Sequence, residues 1–182
     1  MSSKLISYLK FYWKATTVYH LQAPMASDIA QVVLNDHRWY YIFDEIKTLS
    51  GKMDHPKGRK LFRLLQYFKP NSITIHPENS EFQVYLPKIK FHNSSFENFV
   101  FVDSEMDFTE IKKIIGNNGV MILNNPYNKF DLQNQLKEDK EIQLTLNFHY
   151  FLIGVRHSNL LEKQHFDVID FWKKPWKIGL FV

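Results

Sequence analysis

The hydrophobic pattern divides the chain into a helical first part and a second part in which helices and strands alternate. Three early segments repeat apolar side chains at helical spacing: residues 4–14, a stretch starting near the candidate N-cap Ser27, and residues 39–49. Beyond them the alternation is typical of an α/β domain. We therefore predict a helical leader packed on the core over residues 1–55, an α/β domain over residues 56–170, and an aromatic and basic tail over residues 171–182.

The α/β domain is organised around residues 61–77, LFRLLQYFKPNSITIHP. This stretch predicts an amphipathic helix, a turn at Pro70 and Asn71, and a β-branched strand over residues 72–75. Many nucleotide-binding α/β domains begin in this way. Such domains place glycines after the first strand, and residues 76–80, HPENS, contain none.

The rest of the pattern predicts a mixed sheet. The continuous apolar runs at residues 99–102 and 120–123 are typical of buried parallel strands. Helices are expected between and after these runs, at residues 107–115 and 130–137. Further strand-like patterns occupy residues 88–92, 142–147, 150–155 and 164–169. We expect the last three to be antiparallel strands that close one edge of the sheet.

The polar connector before the organising helix, residues 52–59, contains Pro56 and Gly58. Proline and glycine interrupt regular structure, so this pair predicts a hinge between the leader and the α/β domain.

Composition narrows the chemistry without identifying it. The chain has 182 residues, a net charge of +4 with dispersed lysines, and no cysteine, which excludes disulfides and thiolate chemistry. The lysines in the N-terminal segment interrupt its apolar residues, so a signal peptide is not expected, and no apolar run approaches a membrane span. These features predict a cytoplasmic protein. A weak nucleic-acid-binding module remains an alternative because of the basic charge.

Several segments together resemble class I S-adenosylmethionine-dependent methyltransferases, and more narrowly a bacterial group with a helical leader. The matching segments are YHLQAP at residues 19–24, the helix through Phe-Lys-Pro to the first strand at residues 60–75, FVDSE at residues 101–105, ILNN at residues 122–125, and the final strands at residues 142–155 and 164–169. The resemblance implies a Rossmann-like domain. It covers nearly the whole chain by pattern rather than by diagnostic motifs.

The resemblance also implies where S-adenosylmethionine would bind, if it binds. The corresponding positions lie at or just after the ends of the strands predicted at residues 72–75, 99–102 and 120–123: Ile75, His76, Glu78, Asp103 and Asn124. The acidic residue and Gly-x-Gly turn of the family are replaced here by His76 and Pro77, and proline offers no N–H. The interval before Glu97 is also too short for the family's next two strands. The expected fold is therefore a truncated Rossmann-like sheet.

Asp103, Asn124 and Asn125 also form a weak candidate for a Mg²⁺ site, because hard cations take carboxylate and amide oxygens. The alternative is structural: Asp103 caps the next helix, and the two asparagines form a turn before Pro126. We favour no metal. No catalytic residue can be assigned.

Aromatic residues are the other candidates for function, since they make up 16% of the chain. Trp39, Tyr40 and Tyr41 either stack on a base or belong to the core. In the tail, Trp172, Trp176 and Phe181 either dock on the protein itself or form a surface for a protein partner or self-association.

These features lead to one main hypothesis: a degenerate, non-catalytic methyltransferase-like domain that acts as a binding or scaffold protein without a cofactor. The alternative is a divergent active methyltransferase that holds S-adenosylmethionine through Glu78 and Asp103.

Overall fold

In the described part of the chain, six strands form one mixed sheet that has α-helices on both faces, and there are six α-helices in all. The computed structural model describes residues 3–50, 55–87, 91 and 94–174. The helices are α1 (Ser3–Lys14), α2 (Pro24–Leu34), α3 (Tyr41–Ser50), α4 (Pro56–Phe68), α5 (Phe108–Ile115) and α6 (Phe130–Glu138). The strands are β1 (Ser72–His76), β2 (Asn98–Val102), β3 (Gly119–Asn124), β4 (Leu144–Asn147), β5 (Phe151–Arg156) and β6 (Gln164–Asp167). The expected α/β class is confirmed.

The strands lie in the order β1-β2-β3-β5-β4-β6. Strands β1, β2 and β3 are parallel, and β5 runs antiparallel to both β3 and β4. The expected antiparallel arrangement is confirmed for the β4–β5 pair and is wrong for β6, which is parallel to β4. The chain reverses its direction after β5 and crosses to the far side of β4. Strand β6 therefore runs in the same direction as β4.

The core lies on both faces of the sheet because successive side chains of a strand point to opposite faces. In β2, Phe99 and Phe101 join a core formed with α2, α3 and α4, while Val100 and Val102 join a second core formed with α5 and α6. All four side chains are fully buried. The apolar run therefore forms a parallel strand covered on both sides, as predicted.

The leader packs on this sheet through α2 and through a short bridge between Thr16 and Val168. Helix α2 begins at Pro24, with Ala23 as its N-cap, so the predicted start near Ser27 is wrong. Proline is favourable at the first helical position because its fixed φ suits the helix and its missing N–H needs no partner there.

The predicted hinge at Pro56 and Gly58 is also wrong, because both residues belong to α4. Gly58 is buried beneath the ring of Tyr85, and a Cβ at this position would lie 2.3 Å from the ring carbons. The glycine is needed for this close contact, and the Tyr85 hydroxyl accepts a 2.6 Å hydrogen bond from the backbone N–H of His55.

Apart from Phe91, the strand predicted at residues 88–92 lies outside the described residues, and so does most of the tail, including Trp176 and Phe181. The first part of the tail packs on α1. The Lys174 ammonium donates to the backbone oxygen of Ala15 at 2.8 Å, and the Tyr12 hydroxyl donates to the backbone oxygen of Lys173 at 2.9 Å. The Trp172 side chain is 76% exposed.

Candidate functional site

The carboxyl ends of β2 and β3 bring Asp103 and Asn124 into direct contact. Asn124 ends β3 and is buried, and its side-chain nitrogen donates to one carboxylate oxygen of Asp103 at 2.7 Å. The hydroxyl of Ser80 donates to the other oxygen, also at 2.7 Å. Both carboxylate oxygens of Asp103 are therefore bonded to groups of the protein itself.

Lys57, in the first turn of α4, reaches the same edge of the sheet. Its ammonium group donates to the side-chain oxygen of Asn125 at 2.6 Å and to that of Asn124 at 3.2 Å. The Tyr127 hydroxyl donates to the same Asn125 oxygen at 3.3 Å. The lysine thus lies between two amide oxygens that were candidates for holding a cation.

Lys129 approaches this edge from the segment before α6. Its ammonium group donates 2.8 Å hydrogen bonds to the backbone oxygens of Asp103 and Asn124. These bonds tie together the loops that follow β2 and β3. Two lysines from distant parts of the chain therefore converge on the ends of the strands.

Burial shapes the electrostatics of this edge. The pKa of Lys57 is lowered by burial first and by the nearby charge of Lys4 second, while the charge of Asp103 raises it. Burial also lowers the pKa of Lys129, against the attraction of Asp103. Each lysine keeps hydrogen-bond partners for its buried ammonium group, which limits the cost of burial.

The other candidates for cofactor binding lie around β1. The backbone oxygen of His76 accepts the N–H of Asp103 at 2.7 Å, which joins the ends of β1 and β2. Ile75 and Glu78 instead line a cleft of about 280 Å³ beside β1. The structure therefore brings Asp103, Asn124 and Asn125 together, includes His76 through its backbone, and places Ile75 and Glu78 elsewhere.

The glycine-free loop after β1 is held by its own hydrogen bonds. The peptide bond between His76 and Pro77 is cis. The Ser80 N–H donates to the Pro77 oxygen at 3.0 Å, and the Ser80 hydroxyl accepts from the Phe82 N–H at 3.3 Å. Ser80 thereby caps a 3-10 helix over Glu81–Tyr85 and also binds Asp103.

The alternative prediction that Asp103 caps the next helix is wrong, because Asp107 is the N-cap of α5 and accepts the Thr109 N–H at 2.8 Å. The predicted turn before Pro126 is present, with Asn125 in the left-handed region at φ 48°. Among the described residues, no group of three His, Cys, Asp or Glu side chains is placed to hold a metal ion.

Beside this edge lies a second feature, which we call the aromatic cleft. It has a volume of about 740 Å³ and lies between α1 and residues 126–137. Its lining includes Phe11, Trp13, Tyr127, Phe130 and His149, together with the basic residues Lys10, Lys14 and Lys137. The Tyr127 and His149 rings stack with centroids 5.0 Å apart.

Burial lowers the pKa of His149, and the charges of Lys4, Lys173 and Lys57 lower it further. Its Nε2 atom is buried and has no hydrogen-bond partner in the described part of the chain.

The three aromatic residues near α3 divide between surface and core. Trp39 is covered on one face by the guanidinium of Arg59, 4.3 Å from the ring centroid, and its indole N–H donates to Asp44 at 2.8 Å. Tyr40 packs edge to face on Phe62, and Tyr41 is exposed. The three side chains therefore do not form a shared stacking platform.

Sequence reasoning missed Lys57, Ser80 and Lys129. One available signal was Pro56, because proline at the first position of a helix would have placed Lys57 in the first turn of α4. No local pattern indicates that Ser80 or Lys129 binds near Asp103, since those contacts depend on the topology of the sheet.

None of the helices in the described part of the chain has the length and apolar character needed to cross a lipid bilayer. Comparison with known proteins adds no relative: no family model matches the chain, and no curated protein or solved structure matches it either.

Proposed function

We propose that the chain is a methyltransferase-like domain that no longer binds S-adenosylmethionine and serves as a non-catalytic binding protein. The observation that carries this proposal is the position of Lys57. Its ammonium group fills the edge of the sheet at Asn124 and Asn125, where open α/β sheets bind their ligands.

The bonding of Asp103 supports the same view. Each carboxylate oxygen of Asp103 already accepts one hydrogen bond, from Ser80 and from Asn124, which holds the carboxylate on groups of the protein and leaves fewer acceptor sites for a ligand. A cofactor that displaced either group would leave a buried donor without a partner, which costs about 1–3 kcal/mol.

Charge is a further argument. S-adenosylmethionine carries a positively charged sulfonium group, and like charges repel strongly at a partly buried site. The ammonium groups of Lys57 and Lys129 already occupy this edge.

The topology agrees with a shortened methyltransferase-like sheet. Strand β1 is directly adjacent to β2, and the described residues between them contain a 3-10 helix, Glu81–Tyr85, but no strand. The reversed strand β5 then pairs with β3 and β4, consistent with the antiparallel strands that the resemblance implies for the end of the domain.

A binding role is supported by the aromatic cleft and by the adjoining outer face of α1. On this face Leu5, Ile6, Leu9 and Trp13 are exposed, and Trp13 is 78% exposed. Lysines surround these apolar groups, which favours a protein partner with apolar and acidic side chains.

Calorimetric titration with S-adenosylmethionine, followed by thermal unfolding with and without about 1 mM ligand, tests the proposal. We expect no heat of binding and no change in Tm. The active alternative predicts micromolar affinity, and a ligand at 100 times its Kd stabilises a protein by about 2.7 kcal/mol. A rise in Tm of several degrees, with formation of S-adenosylhomocysteine, would establish the active alternative.

A further inference from the structure

Strand β1 lies at one end of the strand order of the described sheet. Within the described part of the chain it pairs with β2 alone, and it consists of five residues, Ser72–His76. An open edge presents backbone N–H and C=O groups that can pair with another strand.

The hydrogen bonds to β2 show which groups of β1 face outward. The Ser72 N–H donates to Glu97, and the His76 oxygen accepts from Asp103, so these residues direct their backbone groups toward β2. Because this direction alternates along a strand, Thr74 also faces β2, whereas Ile73 and Ile75 direct their N–H and C=O groups outward. The free edge therefore offers two residues for pairing.

The two outward-facing residues of β1 lie symmetrically on either side of Thr74, so the edge can pair with a second copy of itself. If a second copy lies antiparallel with Thr74 opposite Thr74, then Ile73 of each copy lies opposite Ile75 of the other. Residues that exchange two hydrogen bonds in an antiparallel pair must both face the partner strand, and Ile73 and Ile75 meet this condition. The pairing forms four hydrogen bonds and leaves none of the outward groups of these isoleucines unpaired.

The side chains suit the same arrangement. Ile73 and Ile75 are half-buried on the core face of the sheet, beside the 280 Å³ cleft that also includes Leu86 and Gln83. A second copy would continue this apolar face across the junction. It would also bring the exposed Lys69 end of one strand toward the exposed Glu78 end of the other, which is a favourable charge pairing.

Pro70 and Pro77 bracket the strand and limit pairing to the residues between them. This limit favours a closed pair over open-ended association, because a strand displaced along the edge would meet a proline.

We propose that β1 is a homodimerisation edge, through which two copies of this chain join their sheets antiparallel about Thr74. This proposal does not depend on whether S-adenosylmethionine binds.

The test uses the paired variants Thr74→Lys and Thr74→Glu. Thr74 lies opposite itself at a position where cross-strand side chains are close, and like charges directly opposite are destabilising. Sedimentation velocity from about 1 to about 300 µM should detect a dimer of the unmodified chain at the upper end, as expected for a small interface. Each variant alone should dimerise about fivefold or more weakly, and an equimolar mixture should recover dimerisation.

Thr109→Lys, on the exposed face of α5, is the matched control and should dimerise like the unmodified chain. Circular dichroism confirms that each variant folds. A chain that stays monomeric at about 300 µM, or a mixture that does not recover dimerisation, overturns the proposal.

Hydrogen exchange on the unmodified chain provides a second measurement that does not depend on the variants. The amides of Ile73 and Ile75 should exchange quickly in dilute protein and slowly in concentrated protein, while the amide of Thr74 stays protected by β2 in both. Protection of Ile73 and Ile75 in the dilute monomer would show that the edge is already covered and would overturn the proposal.

Discussion

The side-chain nitrogen of Asn124 donates a 2.7 Å hydrogen bond to the carboxylate of Asp103, across the ends of two neighbouring strands. The same carboxylate accepts a 2.7 Å bond from Ser80 in the loop after β1. Asp103 therefore joins the ends of three parallel strands, a structural role at the edge where open α/β sheets bind ligands.

Asp103→Ala should lower the free energy of unfolding by about 1–3 kcal/mol, because it leaves the Ser80 hydroxyl and the Asn124 amide, both on buried residues, without their acceptor. Urea unfolding followed by circular dichroism measures the change. Glu162→Ala, at an exposed loop position, is the control and should change stability by less than about 0.5 kcal/mol. Equal stability of the two variants would contradict the structural role of Asp103.

Gly58→Ala should destabilise the protein by about 1–3 kcal/mol, because the added methyl group would meet the Tyr85 ring. At an open helix position the same change would instead stabilise by about 1 kcal/mol. Thermal unfolding distinguishes the two outcomes by the sign of the change in Tm.

A double-mutant cycle with Tyr85→Leu provides the control for Gly58. If the ring is the obstacle, the smaller side chain should reduce the cost of Gly58→Ala, and the coupling between the two changes should be about 1 kcal/mol or more. A coupling near zero would show that the cost arises elsewhere in α4.

The elements that were predictable from the sequence are those whose signals are local. The run at residues 99–102 and the helix after Asp107 needed nothing beyond apolar spacing, although Asp107 was not recognised as the capping residue. The direction of β6 was not predictable in this way, since it depends on which side of β4 the chain passes after β5.

The residues of the candidate site also divide into those that local sequence signals predict and those that depend on the topology. Asp103 and Asn124 could be placed together because each lies at the carboxyl end of one of two parallel strands. Lys57 could not, since it lies 67 residues before Asn124 and meets it through the packing of α4 against the sheet. The filling of the site by lysines is therefore a property of the folded topology rather than of any motif.

Stability should increase with pH above neutrality because of Lys60. Burial, reinforced by the nearby charge of Arg63, lowers the pKa of Lys60 from 10.5 to about 8 in the folded protein. Between these pH values the unfolded chain binds more protons than the folded protein, so the free energy of unfolding rises as pH increases. The expected gain from Lys60 between about pH 7.5 and 9.5 is about 2 kcal/mol.

Urea unfolding at several pH values, with Lys60→Met as the comparison, measures this gain. Burial also lowers the pKa of Lys57 and Lys129, so the variant should retain part of the pH dependence. Burial raises the pKa of Tyr150, which opposes the trend only above about pH 10, where unfolded tyrosine ionises. Identical pH profiles for the two proteins would refute the assignment to Lys60.

The exposed face of α1 leads to a prediction about partners. Trp13→Ser and Leu9→Ser remove apolar side chains that are 78% and 42% exposed. Trp13→Ser should change stability by less than about 0.5 kcal/mol, and Leu9→Ser should lower it by about 1 kcal/mol because more than half of Leu9 is buried. If this face and the aromatic cleft bind a protein partner, both variants should weaken that complex by about tenfold or more, since large apolar side chains dominate such interfaces.

Leu161→Ser is the matched control, because Leu161 is 94% exposed on the loop before β6. Cross-linking mass spectrometry in cells, with quantitative recovery of each cross-linked protein, is the measurement. A partner cross-linked to α1 should be recovered with the unmodified chain and with Leu161→Ser, and lost with Trp13→Ser. Equal recovery of every partner from all the proteins would place the binding surface away from α1.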